Sequence, residues 1–352
     1  MTLLACNPIA LALGAAFFAP LASTAPTNDD DARQKSSETT SLSHKQLKDW
    51  NIILPNERWT SVEGAILIAG QAEGFLTERT GELKLEVDTN ADGQLDAVVR
   101  GSSGVLKLRG RTEDGRRFTY AVRFQGASSG WKFASGGVMS GKLNGVTVRF
   151  IDQNNNGIWN EVGVDAMTVG ASKGASFLSS KLSLGGELFE LELTADGTQA
   201  TITPWKGESG VLNLVGDFTC RGKLVSAVVN GEGTSFNLAS ARGGLRIPVG
   251  RYEFVFGYAV KGEESVEISV GRMTPLMVSA DTKRKIEWGG PIAAEVTYRR
   301  SRDTLTVDKG LRYFGSAGEE YTRFQPDAKS PKIMIRDAKT GKLIDSGRFA
   351  GC

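Results

Sequence analysis

A single histidine, His44, and three cysteines are all that this chain of 352 residues offers to imidazole and thiol chemistry. That scarcity excludes a His/Cys zinc site and leaves a serine nucleophile almost without a base. Charge of one sign is missing as well, since 42 basic residues face 40 acidic ones for a net of +2. A nucleic-acid or anionic-membrane partner calls for a clearer basic excess, so neither is expected. No amphipathic run of helical length is convincing; Ser43 to Trp50 comes nearest. Glycine, by contrast, is plentiful: 43 of 352 residues, about 12% against the usual ~7%. It is scattered among short apolar runs, which suits many tight turns and excludes collagen.

The longest apolar stretch, Ile9 to Leu21, is followed by the small residues Ser23-Thr24-Ala25. It falls short of the roughly 20 residues of a membrane span and reads as an export signal over residues 1–25. No Lys or Arg precedes the run, and Pro26 follows it, so retention as an N-terminal anchor stays open beside cleavage. Cys6 after Leu3-Leu4-Ala5 resembles a lipoprotein box, but its apolar run lies on the wrong side of the cysteine. The mature chain is expected to be exported (periplasmic, cell-surface or secreted) and to lack a membrane span. Residues 26–48 are polar, hold Asp29-Asp30-Asp31 and His44, and read as a flexible linker. Cys220 and Cys352 remain after export and can pair in an oxidising compartment, though their spacing does not decide it.

From Trp59 onward the apolar residues repeat every second position. Leu83, Leu85 and Val87 alternate with Glu82, Lys84 and Glu86; Phe118, Tyr120, Val122 and Phe124 repeat the two-residue period, as do Val146, Val148 and Phe150. Phe189, Leu191 and Leu193 follow, then Tyr252, Phe254, Phe256 and Tyr258. This is the pattern of half-buried strands. Asp114-Gly115, Asp196-Gly197 and Asn230-Gly231 supply turns between them. The chain is therefore expected to be all-β. Residues 49–240 form a hairpin-rich domain, and residues 241–352 a β-sandwich of about 100 residues.

Chemistry concentrates in Asp88-Thr89-Asn90-Ala91-Asp92-Gly93-Gln94-Leu95-Asp96. Oxygen-bearing side chains stand at positions 1, 3, 5 and 9, with glycine at 6 where the chain must turn sharply. Such spacing wraps a short loop around a hard cation that wants six to eight oxygens. Three carboxylates so close together repel one another without a counter-ion. A second run, Asp152-Gln153-Asn154-Asn155-Asn156-Gly157-Ile158-Trp159-Asn160-Glu161, repeats the pattern with fewer charges. Val87 and Ile151 end strands just before each loop, and Val98 and Met167 open the returns. The two read as a duplicated strand–loop–strand unit. An Asn/Gly turn held by its own side chains is the competing reading of the second copy.

The first loop resembles the calcium loops of dockerins, thrombospondin type 3 repeats and integrin propellers. The resemblance implies ligation by Asp88, Asn90, Asp92 and Asp96, with the Gln94 carbonyl at position 7. Position 12, a bidentate glutamate in EF-hands, is Val99 here. By the same pattern the second loop offers Asp152, Asn154, Asn156 and Asn160 and the Ile158 carbonyl, with Glu161 or Asp165 completing the site. Fewer carboxylates imply weaker binding there. Toward the C-terminus, Leu245 to Phe254, with Pro248, Gly250 and Tyr252, resembles a segment of carboxypeptidase regulatory-like and prealbumin-like domains. Ile333 to Lys342 resembles a strand, turn and return strand of an immunoglobulin-like sandwich.

Other strings carry less. Gly126-Ala127-Ser128-Ser129-Gly130 fits a nucleophile elbow, but it lacks a histidine base and a following helix. Gly136 to Lys142 fits a P-loop until Leu143, where Ser or Thr should bind Mg²⁺. Of the six tryptophans, Trp59, Trp131, Trp205 and Trp288 read as core plugs, and Trp159 as a cover for its own loop or a sugar platform. The sequence thus points to an exported calcium-binding structural or adhesive protein, whose partner is a cell-surface or extracellular protein or glycan. An accessory carbohydrate- or peptide-binding protein stands second. A hydrolase with an acidic pair that no spacing reveals stands third.

Overall fold

The structure, a computed structural model, describes residues 36–68, 70–302, 304–327 and 332–348. The expected signal segment, the first part of the expected linker and Cys352 lie outside them. Among the described residues there is no helix, and the chain is all-β. Its principal strands in chain order are β1 (Glu38–Ser41), β2 (Ser43–Gln46), β3 (Lys84–Val87), β4 (Ala97–Arg100), β5 (Ser103–Arg111), β6 (Arg117–Ala127), β7 (Gly130–Ser135), β8 (Gly137–Leu143) and β9 (Val146–Ile151). They continue as β10 (Ala166–Val169), β11 (Glu187–Leu193), β12 (Gln199–Pro204), β13 (Lys223–Gly231), β14 (Gly250–Lys261), β15 (Glu264–Ser269), β16 (Ala293–Ser301), β17 (Thr304–Phe314) and β18 (Glu320–Gln325).

A first core runs from Leu42 to Ile202 and is walled by small antiparallel sheets. One sheet holds β5, β6 and β7 in that order; another runs β2-β8-β9-β10. Period two decides which faces meet. Tyr120, Val122 and Phe124 of β6 are buried together with Leu108 of β5, while Lys107, Arg109 and Arg111 stay exposed. A second core runs from Leu212 to Tyr321, with β13-β14-β15-β18-β17-β16 as its main sheet. The change of core falls between Ile202 and Leu212. The reason is pairing: β13 lies against β14, with Lys223 opposite Val260 and Asn230 opposite Glu253.

Residues 38–46, expected to belong to a flexible linker, are strand. β1 pairs with β12 (Glu38 opposite Ile202), and β2 with β8 (Gln46 opposite Gly137). Low apolar content argued for disorder, yet a polar segment can order by completing the hydrogen bonds of sheet edges that already exist. Leu42, 8% exposed, pins the segment to the core.

His44 comes inside with β2. Its Nε2 accepts the Ala121 N–H at 3.2 Å, and its ring meets Trp159 edge-on at 6.4 Å. Burial, aided by Lys107, lowers its pKa from 6.5 to about 4. Between those values the unfolded chain binds a proton that the folded chain refuses, so this group takes stability away as pH falls from 6.5 toward 4. The loss is expected to reach about 2–3 kcal/mol. Urea unfolding at pH 7 and pH 4.5 checks it: His44→Gln, whose side-chain oxygen can still accept from Ala121, should show a smaller acid loss than the wild type.

Two local expectations fail for geometric reasons. Asn230-Gly231 ends β13, and the turn falls one dipeptide later, at Glu232-Gly233, where Gly233 has φ +59°. Gly231 is needed for space instead, because a Cβ there would lie 2.8 Å from the Tyr252 ring. In β14, Tyr252 and Phe254 are buried, but Phe256 and Tyr258 are only partly so. Val228 and Val229 pair with Phe256 and Phe254, leaving Val255 as an extra residue. Such a bulge exchanges the two faces, so Gly257 and Ala259 point inward beyond it.

The tryptophans divide as well. Trp131, Trp159 and Trp288 are buried. Trp59 and Trp205 are only partly covered and are not core plugs. Trp50 and Trp59 instead flank the Arg123 guanidinium, 3.8 and 5.1 Å from their ring centres, and Arg123 also pairs with Glu57 at 2.6 Å. A planar cation between two rings holds the 50–59 segment against β6.

Candidate metal centres

Both loops close the same way. Val87 at the end of β3 pairs with Ala97 at the start of β4, leaving residues 88–96 as the first loop. Ile151 at the end of β9 pairs with Ala166 at the start of β10, leaving residues 152–165 as the second. The backbones match at the turn. Position 4 is left-handed in both (Ala91 φ +58°, Asn155 φ +66°), and the position-6 glycines, Gly93 and Gly157, both have φ +81°.

In the first loop Asp88 is fully buried, while Asn90, Asp92, Gln94 and Asp96 are exposed. Asp88 Oδ1 accepts the N–H groups of Asn90 (3.0 Å) and Ala91 (2.8 Å), and Oδ2 accepts that of Gly93 (2.9 Å). Asn90 Oδ1 accepts from Asp92 N–H at 3.0 Å, and Asp92 Oδ1 from Gln94 N–H at 2.9 Å. This ladder of side-chain-to-backbone bonds curls the loop around the Asp88 carboxylate. Asp96, expected as the closing ligand, accepts the Thr89 N–H and hydroxyl, each at 2.9 Å.

The second loop is the more buried. Asp152 is 0% and Asp165 1% exposed. Asp152 Oδ1 accepts the Asn155 N–H at 2.7 Å and the Asn156 N–H at 3.3 Å; Oδ2 accepts the Gly157 N–H at 2.6 Å. The Tyr120 hydroxyl, from β6, donates to the same Oδ2 at 2.8 Å. Glu161 Oε2 accepts the side-chain amides of Asn154 (2.8 Å) and Asn156 (2.7 Å), so Glu161 lies among the expected ligands. Asp165 Oδ2 accepts the Glu161 N–H at 3.0 Å, while its Oδ1 is buried without a partner. Asn154 Oδ1 and Gln153 Oε1 are also buried and unpartnered. Asn160 is turned away: Trp159 N–H bonds to the Ala195 carbonyl, and the Asn160 amide donates to the Leu193 carbonyl at 3.3 Å. Ile158, the expected carbonyl ligand, gives its N–H to Asn156 Oδ1 at 2.8 Å.

Charge follows this crowding. Burial, with the Asp152 and Glu161 charges beside it, pushes the Asp165 carboxyl up to about 8. Burial also raises Asp152, against the opposing pull of the Tyr120 hydroxyl and the loop N–H groups. Unpartnered buried acceptors together with repelling carboxylates are the features a bound cation relieves. Three carboxylates, Asp152, Glu161 and Asp165, belong to this loop, as many as in the first. Among the described residues no group of three or more His, Cys, Asp and Glu side chains is placed to hold a metal unaided. Any cation in these loops would have to draw on asparagine and backbone carbonyl oxygens as well.

Sequence reasoning missed Tyr120 and Asn155. Tyr120 looked like one more inward residue of β6, and nothing in its alternation marks the hydroxyl as a partner of Asp152. Asn155 ties the loop down, accepting the Ser135 N–H at 2.7 Å and donating to the Arg58 carbonyl at 2.9 Å. Its left-handed position in an Asp/Asn/Gly run was the available signal. The two catalytic-looking strings lie on strands: Gly126 to Gly130 spans the hairpin between β6 and β7, and Gly137 to Leu143 is β8. No family model, no curated protein and no solved structure matches this chain.

Proposed function

We propose that this is an exported calcium-binding structural or adhesive β protein without catalytic activity, whose two loops are stiffened by Ca²⁺. The observation that carries the reading is the repeated loop. A buried aspartate gathers the N–H groups of its own turn, left-handed residues follow at positions 4 and 6, and the strands on either side close in register. Ordinary two-residue hairpins require none of this. The orphaned oxygens of Asn154 and Asp165 add support at the second loop. Asp88, Asn90, Asp92, the Gln94 carbonyl and Asp96 would hold the ion in the first loop. Asp152, Asn154, Asn156, the Ile158 carbonyl, Glu161 and Asp165 would hold it in the second.

An immunoglobulin-like or prealbumin-like sandwich at the C-terminal end belongs to the same proposal. In its favour, the Tyr252 hydroxyl donates to the Pro248 carbonyl at 3.0 Å, a corner bond of the type β-sandwiches use. The partner would be a cell-surface or extracellular protein or glycan.

Calorimetric titration of the mature chain with CaCl₂ after EGTA treatment and desalting tests the reading. Two sites are expected, with Kd of roughly 10⁻⁴–10⁻³ M, as for extracellular calcium modules. No binding heat up to 10-fold above that range, together with identical melting curves in calcium and EGTA, would sink it. Intact-mass measurement on protein from the native host checks export: the mature chain should begin near residues 23–26.

A further inference from the structure

The exposed face of β5 and β6 carries a row of cations that the calcium reading does not use. Lys107, Arg109 and Arg111 occupy alternate positions of β5, on the side opposite the buried Leu108. Arg117 of β6 stands directly across from Arg111, and Thr119 across from Arg109. Neighbouring cations along the strand are therefore about 7 Å apart, and the cross-strand arginines about 5 Å. Like charges directly opposite one another destabilise a sheet. The fold does little to relieve them. Lys107, Arg109 and Arg117 have no ion-pair partner among the described residues, and Arg111 donates only to the Gly115 carbonyl at 3.2 Å. The neighbouring Arg116, by contrast, is neutralised by Asp114 at 2.8 Å and Asp196 at 2.7 Å.

Two depressions, of about 870 and 530 Å³, adjoin this face and share Arg117, Phe118 and Thr119 in their walls. The larger reaches Gly157 to Trp159 of the second loop, and the smaller reaches Asn90 and Ala91 of the first. Carboxylates line them beside the arginines: Glu113, Asp114 and Asp196 in one, Glu73 in the other.

From this arrangement we infer that the Lys107–Arg117 face binds an acidic polysaccharide bearing carboxylate groups along an extended chain. A row of cations spread along a strand matches a repeating anion better than a single small one. The carboxylates of the adjoining depressions can accept hydrogen bonds from sugar hydroxyls, donors that a polyphosphate lacks. The outward row itself, Lys107, Arg109 and Arg111 with Thr119 and Arg117 across from them, carries no aromatic ring on which a nucleobase could stack. An acidic sugar chain supplies both the anions and the hydroxyl donors that the lining calls for.

The test titrates four probes into the full chain in EGTA at low ionic strength: an oligogalacturonate, its methyl ester, single-stranded DNA of matched charge, and phosphatidylglycerol vesicles. Working in EGTA separates failure here from failure of the calcium reading. The free-acid sugar should bind and the ester should not. An Arg109→Gln/Arg117→Gln double variant should lose about tenfold or more in affinity, equivalent to 1.4 kcal/mol. Lys261→Gln, which removes a charge elsewhere, should lose nothing, and melting curves of all variants confirm folding. Equal binding of the ester, tighter binding of DNA or vesicles, or an unaffected double variant would each overturn the inference.

Discussion

Calcium is expected to raise the melting temperature of the full chain mainly through the second loop, so that Asp165→Asn removes more of the rise than Asp92→Ala. From charge count along the sequence the first loop looked stronger. The fold gathers Glu161 and Asp165 into the second, and it encloses them: Asp152 and Asp165 are buried, whereas Asp92 and Asp96 face solvent. Attraction between an ion and carboxylates grows as water is excluded. At a hundredfold excess over Kd, an ion that binds only the native state adds about 2.7 kcal/mol. At about 2.1 cal/mol/K of unfolding entropy per residue, that corresponds to roughly 4 °C in a protein of this size. Asp165→Asn keeps the side chain's shape and takes away a carboxylate that burial already holds largely protonated when no ion is bound, so the variant should melt no lower than wild type in EGTA while losing the calcium response. Scanning calorimetry in EGTA and in 10 mM CaCl₂, about a hundredfold over the tighter Kd assumed, reads both arms. A full calcium response in Asp165→Asn would refute the ranking. A variant that melts much lower in EGTA would mean that Asp165 is simply structural.

Trp288→Ala should be the most damaging single change in the second core, costing about 3–5 kcal/mol. Trp288 is fully buried, its ring packs on Phe218 and Phe254 at 4.6 and 5.3 Å, and its Nε1 donates to the Leu214 carbonyl at 2.6 Å. Truncation leaves both a cavity and a buried acceptor without its donor. Trp288→Phe fills much of the space but still strands the Leu214 carbonyl, so it should cost less, about 1–3 kcal/mol. Denaturant midpoints measure the order. Equal stability of Trp288→Ala and wild type would show that this core does not limit the fold. The calcium response should survive in both variants, because the loops belong to the other core.

Several features could be read before any fold was known, each for a local reason. Alternation in Phe118–Phe124, Val146–Phe150 and Phe189–Leu193 needed only the two-residue period of a strand. Gly93 and Gly157 needed only their place in an Asp/Asn run. The places where reading failed are those where a distant residue decided the outcome. Residues 38–46 gained order from the edges of β12 and β8, which lie far along the chain. Phe256 and Tyr258 lost their burial to a bulge set by the register of β13. Asn160 left its loop because Trp159 was drawn onto the turn after β11.

By itself, then, the sequence determined strand content, turn chemistry and the two Asp-led loops, all of which follow from interactions within about ten residues. Tertiary structure alone decided that His44 is half-buried against Trp159, that Tyr120 holds Asp152 and that Asp165 is enclosed. It also set Arg117 opposite Arg111 on an open face. Each of these depends on which strands pair and in what register. Pairing is fixed by the burial of whole faces, a property no single segment contains.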